Sequence, residues 1–278
     1  MRVHFLGVRG STPAPGAHYL SYGGHTSSVA LSRGDEAPRL ILDAGTGIRH
    51  ATELLGGAPF VGDVLLTHLH WDHVHGLPFF AGANRADAHT IVRLPVQRAG
   101  DSALETLARG FSPPHFPVRP DQLTGWWTFE SLEPGNLELG DFRVMVREIP
   151  HKGGRTYGFR IEDASSSVAY LPDHRPNLDG PGPEGIGEYH EAALDLASGV
   201  DLLIHDAQLL AEEVAAESGY GHAAAEYAVA LAHRAGCARV MLFHHKPDRT
   251  DEQLDALAQR FIGDHRVALA REGEVVEL

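Results

Sequence analysis

An α/β sandwich with helices packed outside two sheets is the fold class that this sequence predicts, and three observations predict it. Short apolar runs of strand length alternate with helix-forming segments in both halves of the chain. Hydrophobic residues make up 43% of the 278, enough for a sizeable core. No short internal repeat divides the sequence. It reads as one domain, 1–278, since large α/β folds often exceed the prior of roughly 150 residues per domain.

In chain order, Val3-His4-Phe5-Leu6 is a first short strand, followed by a Gly/Pro/Ser loop from Gly7 to Gly24. Arg39-Leu40-Ile41-Leu42 is a second strand, running into Asp43-Ala44-Gly45-Thr46-Gly47. Ile48 to Leu55 has helical character and stops at Gly56-Gly57. Val64-Leu65-Leu66-Thr67 is a buried strand. From about Gly82 to Pro134 the pattern is irregular. Ser112-Pro113-Pro114-His115-Phe116-Pro117 excludes regular helix and central strand, so this stretch is expected to be an insertion covering a site. Its exposed apolar residues are the basis for expecting a possible homodimer.

Strand character returns at Phe142–Ile149, Tyr157–Ile161 and Val168–Leu171. A Pro/Gly-rich loop spans Pro176 to Gly187, and Leu202-Leu203-Ile204 is the next strand. Ala223–Ala235 is helical and closes at Gly236. Arg239–Phe243 is a strand, and Thr250 with Gln253 forms a capping box opening a helix to about Phe261. Two terminal strands lie near Arg266–Ala270 and Glu274–Leu278.

Composition narrows the chemistry. With one cysteine, Cys237, against 19 histidines, neither a disulfide framework nor a multi-thiolate zinc site is available. A transition metal must be held by imidazole and carboxylate. Cys237 itself reads as a small buried residue. The formal net charge of −14 disfavours long nucleic acid as a partner, because phosphates reward basic surfaces. No basic-plus-apolar leader is visible, and charges or prolines break every apolar segment well short of a membrane span. The expectation is a cytoplasmic chain with no membrane partner.

The decisive segment is Thr67-His68-Leu69-His70-Trp71-Asp72-His73-Val74-His75-Gly76. In extended chain, alternate side chains point the same way, so His68 and His70 can converge on one ion. A turn would bring Asp72 and His73 to a neighbouring ion. Imidazole and carboxylate suit Zn2+, with Mn2+ or Fe2+ at lower preference.

This H-x-H-x-D-H pattern after an apolar strand, with the earlier Leu42-Asp43-Ala44-Gly45, resembles the metallo-β-lactamase superfamily over nearly the whole chain. The resemblance implies an αββα sandwich of two mixed sheets face to face. It also implies two divalent ions, one on His68, His70 and His151, the other on Asp72, His73 and His244, with Asp173 bridging them. Asp43 would orient a ligand loop from behind. His245 competes with His244 for the last position, and the resemblance favours His244.

Gly7-Val8-Arg9-Gly10-Ser11, Tyr22-Gly23-Gly24-His25-Thr26-Ser27, Gly76-Leu77-Pro78-Phe79-Phe80 and His205-Asp206-Ala207-Gln208 are similar to phosphodiesterase-like members. Gly221-His222 before a helix is similar to tRNA 3′-processing endonucleases and cyclic-phosphate phosphodiesterases. The catalytic set is then His222, Asp72 and Asp206, with His222 contacting phosphate or protonating the leaving oxygen and Asp206 orienting it. The sequence departs from the pattern at His25, Ala223 and Lys152, where Asn, Ser and Pro are usual, and it lacks a glycine- and basic-rich arm for tRNA.

The expected function is a dinuclear-metal hydrolase of a small cyclic or nucleotide-like phosphodiester, working through a hydroxide that bridges the ions. The alternatives are a hydrolase of carbonyl esters, lactones, thioesters or β-lactams, a tRNA 3′-processing endonuclease, and a non-catalytic metal sensor or accessory protein. Around the site, His75 and His174 are read as neighbours of the ligands, while His25 and His115 are read as loop residues that line the pocket or simply face solvent. Trp71 either walls the site or packs in the core. Arg9 is read either as a phosphate contact or as a loop anchor.

Overall fold

The computed structural model describes residues 1–278. The first part of the chain forms β1 (Arg2–Gly7), β2 (Ser28–Ser32), β3 (Leu40–Leu42), β4 (Val61–Leu65), β5 (His89–Pro95) and β6 (Trp126–Leu132). The second part forms β7 (Gly135–Leu139), β8 (Phe142–Glu148), β9 (Tyr157–Glu162), β10 (Ser167–Leu171), β11 (Leu202–Asp206), β12 (Val240–Phe243) and β13 (Val267–Leu269). The last strand, β14 (Val275–Glu277), returns to the first sheet and pairs antiparallel with β1. The sheet orders are β14-β1-β2-β3-β4-β5-β6 and β13-β12-β11-β10-β9-β8-β7. Both are mixed. β1 to β3 pair antiparallel and β3 to β6 parallel, while β7 to β10 pair antiparallel and β10 to β13 parallel.

The two-residue period of a strand sorts the core into layers. Leu202 and Ile204 of β11 face the space between the sheets, where they meet Phe5, Leu42 and Leu65 from the first sheet. Leu203, between them, faces the opposite way into a second cluster with Leu196, Leu231 and Leu254. Those three come from α1 (Glu191–Ala197), α2 (Ala225–Ala235) and α3 (Asp251–Arg260). A third cluster packs Ile41, Val64 and Val92 against Ile48, Leu55 and Phe80 on the outer side of the first sheet. The result is the four-layered αββα arrangement that the alternating pattern predicts. The helix signals act where expected. Gly236 ends α2 in the left-handed region at φ 71°, and Thr250 caps α3 with the reciprocal Gln253 contact.

Two regions differ from the sequence reading. The segment 82–134 is only partly irregular, since β5 and β6 within it are full parallel members of the first sheet. Arg93 on β5 conceals the strand, because its guanidinium pairs laterally with Asp63 at 2.8 Å and with Glu130 instead of marking a loop. The predicted helix over 48–55 is a 3-10 turn, Thr46–His50, running into a four-residue helix, Ala51–Leu54. No helix is long and apolar enough to cross a membrane.

Candidate metal centre

Strand ends on both sheets deliver the histidines and aspartates to one place. β4 ends at Leu65, and the chain bends at Thr67 and passes His68 and His70 before a short helix, Trp71–Val74, carries Asp72 and His73. Gly76 lets this helix lie against the loop after β3, since a Cβ there would meet the Gly45 carbonyl oxygen at 2.0 Å. From the second sheet, His151 follows β8, Asp173 follows β10 and His244 follows β12. His244 adopts φ 57°. Only a residue turned into this sparsely used region aims its ring back over the strand ends. Gly10 makes room for that ring, because a Cβ would sit 2.4 Å from His244 Nδ1.

Two groups of ligand atoms result. His68, His70, His151 and Asp173 form one, and Asp72, His73 and His244 the other. Within the first, His151 Nε2 lies 3.3 Å from His70 Nδ1 and 3.3 Å from Asp173 Oδ2, with His68 Nε2 3.7 Å from the same oxygen. Within the second, His244 Nε2 lies 3.3 Å from His73 Nε2 and 3.1 Å from Asp72 Oδ2. Asp173 Oδ1 approaches His73 Nε2 at 2.9 Å and His244 Nε2 at 3.1 Å. Each Asp173 oxygen therefore faces a different group.

The atoms behind the ligands decide which ring nitrogen is free. Asp43, fully buried, accepts from His73 Nδ1 at 2.8 Å, Tyr170 Oη at 3.0 Å and the Thr67 backbone N–H at 2.7 Å. Thr67 Oγ1 also donates to Asp43, at 2.9 Å, so its oxygen accepts His68 Nδ1–H at 3.0 Å. His151 Nδ1 donates to the Gly221 carbonyl at 2.7 Å. In all three rings Nδ1 holds the proton, and Nε2 is left with its lone pair pointing inward.

Such an arrangement fits cations. His68 Nε2 and Asp173 Oδ1 are buried without a hydrogen-bond partner, which costs free energy unless a positive ion accepts their lone pairs. Burial pushes His151 down to about 4 and His68 well below the imidazole range, leaving both neutral, as ligation requires.

His222 stands at the rim of this group, and Asp206 anchors it. Asp206 Oδ2 accepts from His222 Nδ1 at 3.0 Å and from the backbone N–H groups of Ala223 and His174 at 3.2 and 3.1 Å. Its Oδ1 takes the Gln208 backbone N–H at 3.0 Å. His222 Nδ1 is 3.8 Å from Asp173 Oδ2. Burial alone would lower the His222 imidazole, but Asp206 outweighs it and raises the ring to about 9.

The remaining residues sort clearly. His245 turns away from the cluster and donates from Nε2 to the Ala270 carbonyl at 2.8 Å. Arg9 is an anchor: its buried guanidinium donates to the carbonyls of Gly23 and Arg249, both at 2.7 Å, and faces no open cavity. His174 bonds to His205 at 3.0 Å and His190 at 3.1 Å. Trp71, 69% exposed, stacks on His75 and stands between the mouth of the centre and a neighbouring cavity of about 710 Å³. His25, His115, Phe111 and Phe116 line that cavity. Cys237 is buried, with its thiol directed at the Ala197 carbonyl. Sequence reasoning missed Ser11, whose backbone N–H, held at φ 61°, donates to Asp72 Oδ2 at 2.6 Å. It also missed Tyr170 and the mouth residue Tyr220. Ser11 closes the Gly7–Ser11 motif and Tyr220 precedes the Gly221-His222 pair, and these positions were the signals the sequence carried.

A family model described as a beta-lactamase superfamily domain matches residues 38–245. The chain belongs to the metallo-β-lactamase superfamily. Its superfamily relatives include a protein named ribonuclease Z from Lacticaseibacillus casei (strain BL23), 27% identical, with 88% of this chain and 84% of that protein aligned. Another ribonuclease Z, from Haloarcula marismortui, is 24% identical over 98% of this chain and 95% of its own length. Among solved metallo-β-lactamase folds, YhfI from Bacillus subtilis superposes with a TM-score of 0.68 at 20% identity, covering 100% of this chain and 98% of that one. The short form of human tRNase Z gives 0.68 at 19% identity, covering 100% and 99%. The chain is a metal-dependent hydrolase of this superfamily, and divalent ions are its cofactors.

Proposed function

We propose that this chain hydrolyses phosphodiester bonds at a pair of divalent cations, Zn2+ by donor chemistry, and that the 3′ region of RNA is its substrate. The observation that carries the reading is the His222–Asp206 pair, 3.0 Å apart, at the edge of the two ligand groups. A departing ribose oxygen needs a proton, and His222 stands where it can give one. The relatives named ribonuclease Z favour RNA over the small cyclic phosphodiester expected from the sequence. They also remove the argument against long nucleic acid, since net charge measures the whole surface and not the rim of one cleft. A nuclease of this kind would work in the cytoplasm, where precursor RNA is met.

His68, His70 and His151 would hold one ion, Asp72, His73 and His244 the other, and Asp173 both. When bound, such ions acidify water towards a pKa of about 7 and offset charge that grows on phosphate oxygens. The chain's own residues do the rest. Asp43, Thr67 and the Gly221 carbonyl keep three rings in the ligating tautomer. Asp206 holds His222 with its Nε2 side turned to the cleft, placed to protonate the departing oxygen.

A small phosphodiester is the second reading, and the 710 Å³ cavity favours it. That cavity has the volume of a small-molecule pocket and shares Pro13, Leu69 and Trp71 with the mouth of the centre. The test uses metal-loaded protein on bis(p-nitrophenyl) phosphate, a 3′-extended tRNA transcript and a cyclic nucleotide, with His68→Ala and Asp173→Ala beside the wild type. We expect turnover of the first two, lost in both variants. Equal activity in all three proteins would defeat the assignment, and turnover of the cyclic nucleotide alone would select the second reading.

A further inference from the structure

We propose that His25, His50 and Glu272 form a separate divalent-cation site, zinc by donor type, that ties the N-terminal loop to the C-terminal turn. None of the three belongs to the centre described above. His25 lies in the loop between β1 and β2, His50 ends the 3-10 turn after β3, and Glu272 sits in the turn between β13 and β14. Their ligand atoms all lie within 4.8 Å of one another.

The separation of His50 and Glu272 is longer than a hydrogen bond and matches two ligands of one ion. His50 Nε2 is 3.4 Å from Glu272 Oε1 and is buried without a hydrogen-bond partner. An N–H···O bond would draw them to about 2.9–3.0 Å. Two atoms bound tetrahedrally to one zinc, each at about 2.0–2.1 Å, stand roughly 3.3–3.4 Å apart. The two rings meet edge to face, with centroids 4.8 Å apart at 72°.

Each ligand is also oriented from behind, as at a built site. His25 Nδ1 bonds to Thr46 Oγ1 at 3.1 Å, which leaves its Nε2 for the ion. Glu272 Oε2 accepts the His25 backbone N–H at 3.0 Å, which leaves Oε1. Two imidazoles and one carboxylate make a three-ligand zinc set with a fourth position open to water, and His25 borders the 710 Å³ cavity through which an ion and water would enter.

A cation here would brace the main centre's loop. The His25 carbonyl accepts the N–H groups of Val8 and Arg9, both at 2.9 Å, two residues before the Ser11 N–H that holds Asp72. The inference does not depend on the proposed reaction. Its test is a metal count, with the chain dialysed to equilibrium against excess Zn2+ and zinc per chain measured by mass spectrometry. His50→Gln and Glu272→Gln, prepared alongside, should each hold one ion fewer than the wild type, whatever number the main centre binds. His50→Gln alters a partly exposed residue, and Glu272→Gln keeps an oxygen for the His25 N–H. If one variant fails to fold, the other decides. The same count in wild type and variant would overturn the proposal.

Discussion

The two halves of the metal centre are backed by different chemistry. Behind His73 lies the buried carboxylate of Asp43, and Asp72, a charged ligand, is fixed by the Ser11 N–H. The rings of His68 and His151 rest on neutral oxygens, the Thr67 hydroxyl and the Gly221 carbonyl, and His70 is only partly buried. Apart from the shared Asp173, that half has no carboxylate of its own. A carboxylate behind an imidazole raises its basicity, and nearby negative charge strengthens cation binding in a buried site. On the proposed two-ion reading, the contrast would give a tighter ion on the Asp72 side and a weaker, more exchangeable one on the His68 side.

The largest expected effect sharpens the description of the mouth of the centre. His222→Asn should lower kcat by about 10²- to 10⁴-fold on an RNA phosphodiester, the usual worth of a general acid. On bis(p-nitrophenyl) phosphate, whose phenolate leaves without a proton, the loss should be far smaller. Steady-state kinetics on the two substrates, with metal content checked in parallel, reads the difference. Equal losses on both would make His222 a positioning residue and would remove the leaving-group role from the open side.

Next in size is a direct attempt to break the asymmetry. Asp43→Asn keeps the shape and tolerates the backbone at φ 58°, but it replaces a carboxylate that takes four donors with a neutral amide. The ion on the Asp72 side should lose about 10- to 100-fold in affinity, while the ion on the His68 side changes little. Competition with a chromophoric chelator resolves the two. A uniform loss at both would mean that Asp43 acts through the loop as a whole and that the halves are not independent.

How much of this was legible in the sequence follows from range. The H-x-H-x-D-H segment showed itself because four ligand-type residues lie within six positions, and strand and turn geometry alone can bring them together. His151, Asp173 and His244 are single residues after separate strands, joined to the quartet only by the facing of two sheets. They were found by resemblance. The Asp43–Tyr170 contact spans 127 positions and joins strand ends of different sheets, so no local pattern announces it. The same holds for His25, His50 and Glu272. β5 and β6 escaped notice because their lateral charges and the prolines between them imitate a loop.

The smallest effect separates two adjacent histidines. His244 points at Asp72 and Asp173, whereas His245 is buried among protein atoms, its Nε2–H committed to the Ala270 carbonyl at 2.8 Å. Burial lowers the His245 ring to about 3, against about 6.5 in an unfolded chain. Between those values the unfolded chain binds the proton and the folded chain does not. His245 therefore costs nothing above pH 6.5 and disfavours folding increasingly as the pH falls towards 3. Linkage sets the slope at about 1.4 kcal/mol per pH unit. His245→Gln retains an N–H donor for Ala270 but cannot titrate, so its stability should fall less steeply on acidification. Urea unfolding of both chains at pH 7.5 and 5.5 measures this, and the gap between them should close by roughly 1 kcal/mol at the lower pH. An unchanged gap would mean that His245 takes up a proton in the folded chain, contrary to the packing that distinguishes it from its neighbour.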